Sequence, residues 1–443
     1  MMNNMRIEVK QNMCDTSQCK EEFVELKDVF AVKLKRRRSV GQQKGGTLLG
    51  ITIFVCMNKG QNKFKEHAIH LSNLSEDHCN IWFKHLKDIL NGFPNRPKSL
   101  KVIVNPHSHK KEAKQIYDEQ VAPLFKLADI KTDITITEYQ GHAFSVLKEC
   151  ELQEFDGVVC VGGDGTASEV VHGVLLRAQM DAGRDTDSNF TPVRAPLPLG
   201  IIPAGSTNVI AFSVHGIKHP VTAAMHIIMG HHQAVDACTF HSHNGLLRFG
   251  FSAMFGFGGR TLALAEKHRW MPPNQRRDFA IIKTLTNLNM QGHFLNVSIM
   301  AIPCLCSVAP RGLAPNTRLD NGSMVLTAVR NTSRADFIKH LKRYGNLKNQ
   351  FNFPFVELYT VQEVKIRSRT KSGWAEDTYE ENADFHSHHS SVISLEGSCP
   401  WNIDGDLMDE ASEVHIKVHP QLITLYGGIF EECDDSTVKC SCL

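Results

Sequence analysis

No apolar run in this 443-residue chain approaches the ~20 residues that a bilayer-spanning helix needs. Residues 1–20 are polar and lack the basic start and apolar centre of a secretory leader. Membrane contact is therefore expected to be peripheral, and secretion is not expected. An excess of one charge is missing too: 49 Lys and Arg stand against 47 Asp and Glu, a formal charge of +2. That balance argues against a dedicated nucleic-acid binder, which needs a basic surface for phosphates. Also absent are a Gly-x-x-x-x-Gly-Lys-Ser/Thr loop and the protein-kinase signature set, which excludes the ordinary nucleotide-binding folds. Cysteine is not scarce, with thirteen residues. Without a leader beside them, they read as reduced thiols in a cytoplasmic protein.

What is present is a sharply defined turn. Val158-Val159-Cys160-Val161 is an apolar strand running into Gly162-Gly163-Asp164-Gly165-Thr166, after which a helix is expected over 168–180. Glycines let backbone approach a polyphosphate, amides opening the helix point at the anion, and the acid faces a metal or a reacting hydroxyl. A second turn, Ile202-Pro203-Ala204-Gly205-Ser206-Thr207-Asn208, also lies between strand and helix and offers hydroxyls and an amide side chain to ribose or phosphate. Near the C-terminus, Asp404-Gly405-Asp406 places two acids around a glycine, a spacing that presents carboxylates to Mg²⁺ or to a nucleophile, although alone such a triplet is usually a surface turn.

The chain divides by pattern. Residues 1–93 carry alternating runs at 22–33 and 48–56. A helix then opens at Ser75, carries Ile81, Trp82, Leu86, Ile89, Leu90 and Phe93, and stops at Pro94. This resembles the back half of a pleckstrin-homology domain, with residues 1–20 not reading as its front strands. The segment is thus expected to be partial, in a shortened isoform, with weak lipid-headgroup binding. Over 98–233, strands at 100–104, 132–137, 157–161 and 199–202 alternate with helices at 110–127 and 143–150, the rhythm of a parallel, helix-covered sheet. Over 234–430, short β-type runs at 247–254, 294–301, 324–328, 361–366, 414–418 and 422–425 predict a β-sandwich. Residues 372–391, acidic and rich in Ser and His, read as a mobile insert, and 431–443 as a tail. The fold class is thus α/β plus all-β: a parallel α/β lobe, then a β-sandwich lobe, preceded by a partial pleckstrin-homology-like segment.

The order Asn105-Pro106, Gly162 to Thr166, Pro203 to Asn208, then Asp404-Gly405 resembles the diacylglycerol, sphingosine and ceramide kinase family over residues 98–430. Phe255-Gly256-Phe257-Gly258, Glu266-Lys267-His268-Arg269-Trp270 and Ala309-Pro310-Arg311-Gly312-Leu313 are similar to the ceramide kinases within it. NAD kinases share the Gly-Gly-Asp-Gly turn, and the lipid-kinase form of the second turn decides between them. The resemblance implies a cleft between two lobes in which ATP and Mg²⁺ are used to phosphorylate the primary hydroxyl of a lipid, ceramide or a related one. It implies nucleotide-binding roles for Asn105, Gly162, Gly163, Asp164, Gly165, Thr166, Glu169, Gly205, Ser206, Thr207 and Asn208. Arg269 and Arg276 are expected to reach phosphates, and Asp404 and Asp406 to hold Mg²⁺. The segment after Ile282 reaches Phe294 with little of the family's usual insert.

Three positions depart from the family. After Asn105-Pro106, where relatives carry glycines, stand His107-Ser108-His109-Lys110-Lys111. Arg260 replaces an aspartate that recognises or activates the substrate hydroxyl, and a guanidinium cannot accept its proton. Asp406 replaces glutamate, which withdraws the carboxylate by about a methylene, and a misplacement of about 1 Å can cost on the order of a hundredfold in rate. The expected function is thus a regulatory or sensing protein that retains a nucleotide pocket with weak or absent lipid phosphoryl transfer. The rival is an active lipid kinase with Asp164 as base and Asp406 as metal or proton partner. The basic run Lys33-Leu34-Lys35-Arg36-Arg37-Arg38 allows nuclear import beside the cytoplasmic expectation.

Overall fold

The computed structural model describes residues 6–10, 21–37, 45–108, 111–184, 190–268, 270–288, 293–314, 316–346, 348–369, 392–396, 400–408 and 413–428. The insert expected over 372–391 and the tail over 431–443 lie outside the described residues.

The N-terminal unit is antiparallel and closed by a helix. β1 (Arg6–Lys10) pairs with β2 (Glu21–Glu25), and β3 (Val29–Arg37), β4 (Thr47–Asn58) and β5 (Phe64–Ser72) form a three-stranded sheet. Residues 1–20 therefore do contain a strand, because Arg6-Ile7-Glu8-Val9-Lys10 alternates polar and apolar side chains at strand period. α1 (Glu76–Asn91) starts where the Ser75 hydroxyl accepts from the His78 amide at 3.3 Å. Its buried contacts are Cys79 and Leu86. Ile81 and Trp82, assigned to the apolar stripe, are 51% and 52% exposed instead.

The α/β lobe follows: β6 (Ser99–Val104), α2 (Ala113–Ile116), α3 (Ala122–Leu127), β7 (Lys131–Ile136), α4 (His142–Glu149), β8 (Gly157–Gly162), α5 (Asp164–Asp181), β9 (Leu199–Pro203), α6 (Val209–His215) and α7 (Pro220–Met229). A single turn of π-helix, Tyr117–Val121, joins α2 to α3. β7, β6, β8 and β9 are neighbours in that order, all parallel. Every residue of β8 is buried, as expected for a strand with helices on both faces.

The remaining elements are β10 (His232–Ser242), β11 (Gly245–Gly250), β12 (Ser252–Gly256), α8 (Phe257–Lys267), α9 (Pro273–Thr286), β13 (Phe294–Met300), β14 (Met324–Arg330), α10 (Arg334–Arg343), β15 (Val356–Val361), β16 (Glu363–Arg369), β17 (Val392–Glu396), β18 (Trp401–Ile403), β19 (Asp406–Met408) and β20 (Glu413–Tyr426). A six-stranded sheet in the order β15-β14-β13-β12-β18-β19 stacks on β10, β16 and β20. Phe240, Phe255, Ile299, Leu326, Ile366, Trp401 and Ile416 fill the space between them. That is the expected sandwich.

The two lobes share one sheet, however. β20 is a single strand where two runs were expected, and along its length it pairs with β10. Its other edge takes β16 over 413–417 and then meets β9 at Leu425, opposite Leu199. The expected run 247–254 is likewise split between β11 and β12 at Phe251. Among the described residues no helix is long and apolar enough to cross a membrane.

Candidate functional site

The loops after β6, β8 and β9 leave the C-terminal edge of the parallel sheet and meet the β18–β19 turn. Asn105 anchors the first of them. Its amide donates to the Val161 carbonyl at 3.0 Å, its side-chain Nδ2 donates to the Thr166 hydroxyl at 2.9 Å, and its Oδ1 accepts from the His107 amide at 3.0 Å. Thr166 can fold back to Asn105 only because residue 162 is glycine: a Cβ there would lie 2.7 Å from the Thr166 hydroxyl.

The second turn is built around Asn208, which is buried and held in the left-handed region at φ 58°. Its Oδ1 accepts from the Gly205 amide and its Nδ2 donates to the Gly205 carbonyl, both at 2.8 Å. The turns touch through their glycines, since a Cβ on Gly205 would lie 2.4 Å from the Gly163 Cα. Asp164 opens α5 and reaches across to the start of α6, where its carboxylate accepts from the Ile210 amide at 3.3 Å and lies near the amides of Asn208 and Val209. Burial pushes this acid up to about 6 against the pull of those amides, and Asp404 adds to the rise. Glu169 is engaged as well: its Oε1 accepts from the Phe144 amide at 3.1 Å and ties α5 to α4.

The acidic triplet is committed inside the protein. Asp404 accepts from the Phe251 amide on one oxygen, and from the Ser252 amide and hydroxyl on the other, at 2.7 to 2.8 Å. It is 8% exposed and clamps the corner between β11 and β12. A Cβ on Gly250 would come within 2.2 Å of its carboxylate. Asp406 forms an ion pair with the buried guanidinium of Arg248 on β11. Burial and Arg248 together push the neighbouring His172 down to about 4.

A cavity of about 620 Å³ lies between these parts. Its wall brings together Asn105, Gly163, Asp164, Gly165, Thr166, Glu169, Gly205, Ser206, Thr207, Arg276, Asp404 and Asp406 from the residues singled out in the sequence. Gly162 and Asn208 stand behind that wall as supports. Arg260 sits in the first turn of α8 and is not part of the wall, while Leu262 and Glu266 of the same helix are. Arg269 lies outside the described residues, as do His109 and Lys110. His107 and Ser108 do line the cavity, so side chains crowd that loop as expected. Met254, Leu262, Ile302, Cys304 and Leu313 give the cavity an apolar side.

Two further residues at the site carry no local signal in the sequence. Arg248 pairs with an acid 158 positions away. Lys218, in the α6–α7 connection, donates to the carbonyls of Gly205 and Ser206 at 2.5 and 3.1 Å.

The site's chemistry distinguishes nucleotide from metal. Paired glycine turns with amide and hydroxyl donors fit a polyphosphate. A protein-held Mg²⁺ does not fit: Asp404 is saturated by amides and a hydroxyl, Asp406 is bound to Arg248, and Asp164 is bound to amides. No group of three His, Cys, Asp or Glu among the described residues is arranged to hold a metal ion.

The chain matches known lipid-kinase sequences over most of its length. The sequence model of the diacylglycerol kinase catalytic domain matches residues 99–240, and that of the ceramide kinase C-terminal domain matches 251–291 and 288–443. Those two pieces meet where the usual insert was expected to be missing. The ceramide kinase PH domain matches residues 3–86, so the N-terminal stretch expected to lack the front of such a domain is part of it. The chain is 59% identical to human (Homo sapiens) ceramide kinase-like protein, over 94% of its own length and 84% of the relative's. It is 31% identical to human ceramide kinase, over 81% and 78%. It is 27% identical to Caenorhabditis elegans ceramide kinase 1, over 83% and 73%. A crystal structure of a diacylglycerol kinase from Bacillus anthracis str. Sterne superposes with a TM-score of 0.50 at 16% identity, covering 76% of this chain and 99% of that one. That likeness concerns the fold alone.

Proposed function

The chain belongs to the ceramide kinase family of lipid kinases, and from that membership we propose that it binds a nucleotide in the interlobe cavity with little or no transfer of phosphate to lipid. One observation carries the proposal: the amide-lined turns open onto the cavity while the acids expected to do the chemistry are occupied. A general base needs a free lone pair at the reacting hydroxyl and basicity near the working pH. Asp406 has the Arg248 guanidinium on its carboxylate, so that oxygen is engaged by an ion pair and is not free for a reacting hydroxyl. Asp404 serves the β11–β12 corner.

The polyphosphate is placed against Gly163, Gly165, Ser206 and Thr207, with Thr166 and Arg276 as further donors and Glu169 holding α5 in position. When bound, ATP would supply the transferable phosphoryl group. The residues here supply its binding and orientation, while Asp404 and Asp406, the acids expected at the metal, are committed to the β11–β12 corner and to Arg248. The apolar side formed by Met254, Leu262, Ile302 and Leu313 is where a lipid such as ceramide, the substrate named for two of the relatives, would lie. With the exposed Leu74, Ile81 and Trp82 of the N-terminal unit, it makes peripheral membrane contact part of this reading.

A second reading, an active lipid kinase with Asp164 as base, draws on one observation: burial holds that acid near pH 6 at the cavity wall, closer to neutrality than an ordinary carboxylate. The experiment that separates the two is a nucleotide titration run on the same preparation as a lipid phosphorylation screen. Binding without transfer supports the first reading. Transfer abolished by Asp164→Asn supports the second.

A further inference from the structure

We infer that Lys218 takes the place of a divalent cation in this cleft, so that the nucleotide binds without Mg²⁺. The inference rests on the nucleotide-pocket reading above and deepens it by naming the form of ligand the pocket takes.

The argument starts from the second turn. Lys218 draws the carbonyls of Gly205 and Ser206 to one side, at 2.5 and 3.1 Å. In a trans peptide the N–H points opposite to the carbonyl it is conjugated with, so the amides of Ser206 and Thr207 face the other way. Both residues line the cavity. Among the described residues no acceptor in the protein meets either amide. Two successive N–H groups on one side form a concavity suited to an anion.

That concavity adjoins a negative charge. The Ile210 amide donates to the Asp164 carboxylate, and the amides of Asn208 and Val209 lie near it, so a phosphate at Ser206 and Thr207 would sit beside an acid. In many phosphate sites a bound Mg²⁺ relieves this repulsion, held by carboxylates and phosphate oxygens. Here Asp404 and Asp406 are committed to the β11–β12 corner and to Arg248, which leaves no carboxylate pair for an ion. Lys218 is the fixed cation next to the turn. Burial pushes its ammonium below the ordinary lysine value, and the charges of Asp164 and Glu112 pull it back up. It acts as a positioning residue: it orients two amides through their carbonyls and offsets the charge of Asp164.

The test is isothermal titration of the full chain with ATP, in EDTA and in excess Mg²⁺, for wild type, Lys218→Met and Lys218→Arg. Thermal melting of the same samples establishes that each variant is folded. Wild type is expected to bind with affinities within about threefold in the two buffers. Lys218→Met is expected to lose about tenfold in EDTA, the scale of one charge-assisted contact, and Lys218→Arg to recover most of it. Wild-type binding that appears only with Mg²⁺ overturns the inference and leaves the nucleotide pocket standing. So does a folded Lys218→Met with unchanged affinity in EDTA. No wild-type binding in either buffer overturns the pocket reading and the inference with it.

Discussion

Replacing Gly205 by alanine tests the geometry on which the cleft depends. A Cβ at that position would lie 2.4 Å from the Gly163 Cα, 3.2 Å from the Gly163 nitrogen and 3.0 Å from the Asn208 Oδ1. Carbon atoms in contact sit at about 3.5 to 4.0 Å, so the two turns must part by about 1 Å. The obstruction is mostly backbone, and a change of rotamer does not relieve it. Overpacking of this kind costs roughly 1 to 3 kcal/mol, which at about 2 to 4 °C per kcal/mol for a large domain lowers the melting temperature by roughly 2 to 12 °C. The shift also carries the Ser206 and Thr207 amides away from any phosphate, and ATP affinity is expected to fall at least tenfold. Gly165→Ala is the control. Nothing lies within 4 Å of a Cβ there, and the residue is in the first turn of α5, where alanine is the better helix former by up to about 1 kcal/mol. Its melting temperature should stay level or rise. Differential scanning fluorimetry with a nucleotide titration reads both effects. A Gly205→Ala protein that melts with wild type and binds ATP as tightly would refute the packing argument.

Other perturbations probe the acids and their partners. The Asp164 carboxyl is pushed up to about 6 from an ordinary value of 3.8. Its contribution to stability is therefore fully present below about pH 4 and lost as pH rises through about 6. The loss is on the order of 3 kcal/mol for a shift of about two units. Asp164→Asn removes that titration, so urea denaturation should show the variant gaining on wild type between pH 4 and pH 7.5; a pH-independent difference would contradict it. Arg248→Met leaves Asp406 without its partner and is expected to cost about 1 to 2 kcal/mol, less than breaking a fully buried pair because the Asp406 carboxylate is partly exposed. It should also raise the pH at which His172 titrates in NMR spectra, and an unmoved His172 would count against the assignment. Ser75→Ala removes the cap of α1 and should cost about 1 kcal/mol without changing ATP affinity, measured by melting and titration.

The parts legible in the sequence are those whose signal is local. β8 and the Gly162–Thr166 turn are a continuous apolar run entering glycines, and the Ser75 cap sits one residue ahead of its helix. What was illegible depends on distant partners. Asp404 in the sequence looks like a cation ligand, and only the fold shows its oxygens taken by residues 152 and 153 positions away. Arg248 reads as one polar residue in an apolar run until β11 brings it to Asp406. The sequence of β20 reads as two runs because Pro420 and Gln421 interrupt the pattern. In the structure the interruption is a bulge opposite β10, where the Gln421 amide donates to Asp236 at 2.7 Å. α8 is hidden in the sequence because it opens on Phe257-Gly258-Gly259, which has the composition of a turn. Trp82 carried the helical spacing of a core residue yet lies on the outer face of α1.

The central claim is that this cleft retains a nucleotide without carrying out the family's chemistry. It is tested most directly by incubating the purified full chain with γ-labelled ATP and vesicles containing ceramide, while ATP affinity is measured on the same preparation. The account predicts saturable ATP binding and no label in the lipid beyond the protein-free control. Labelled ceramide that accumulates with turnover, and disappears in Asp164→Asn, would contradict it.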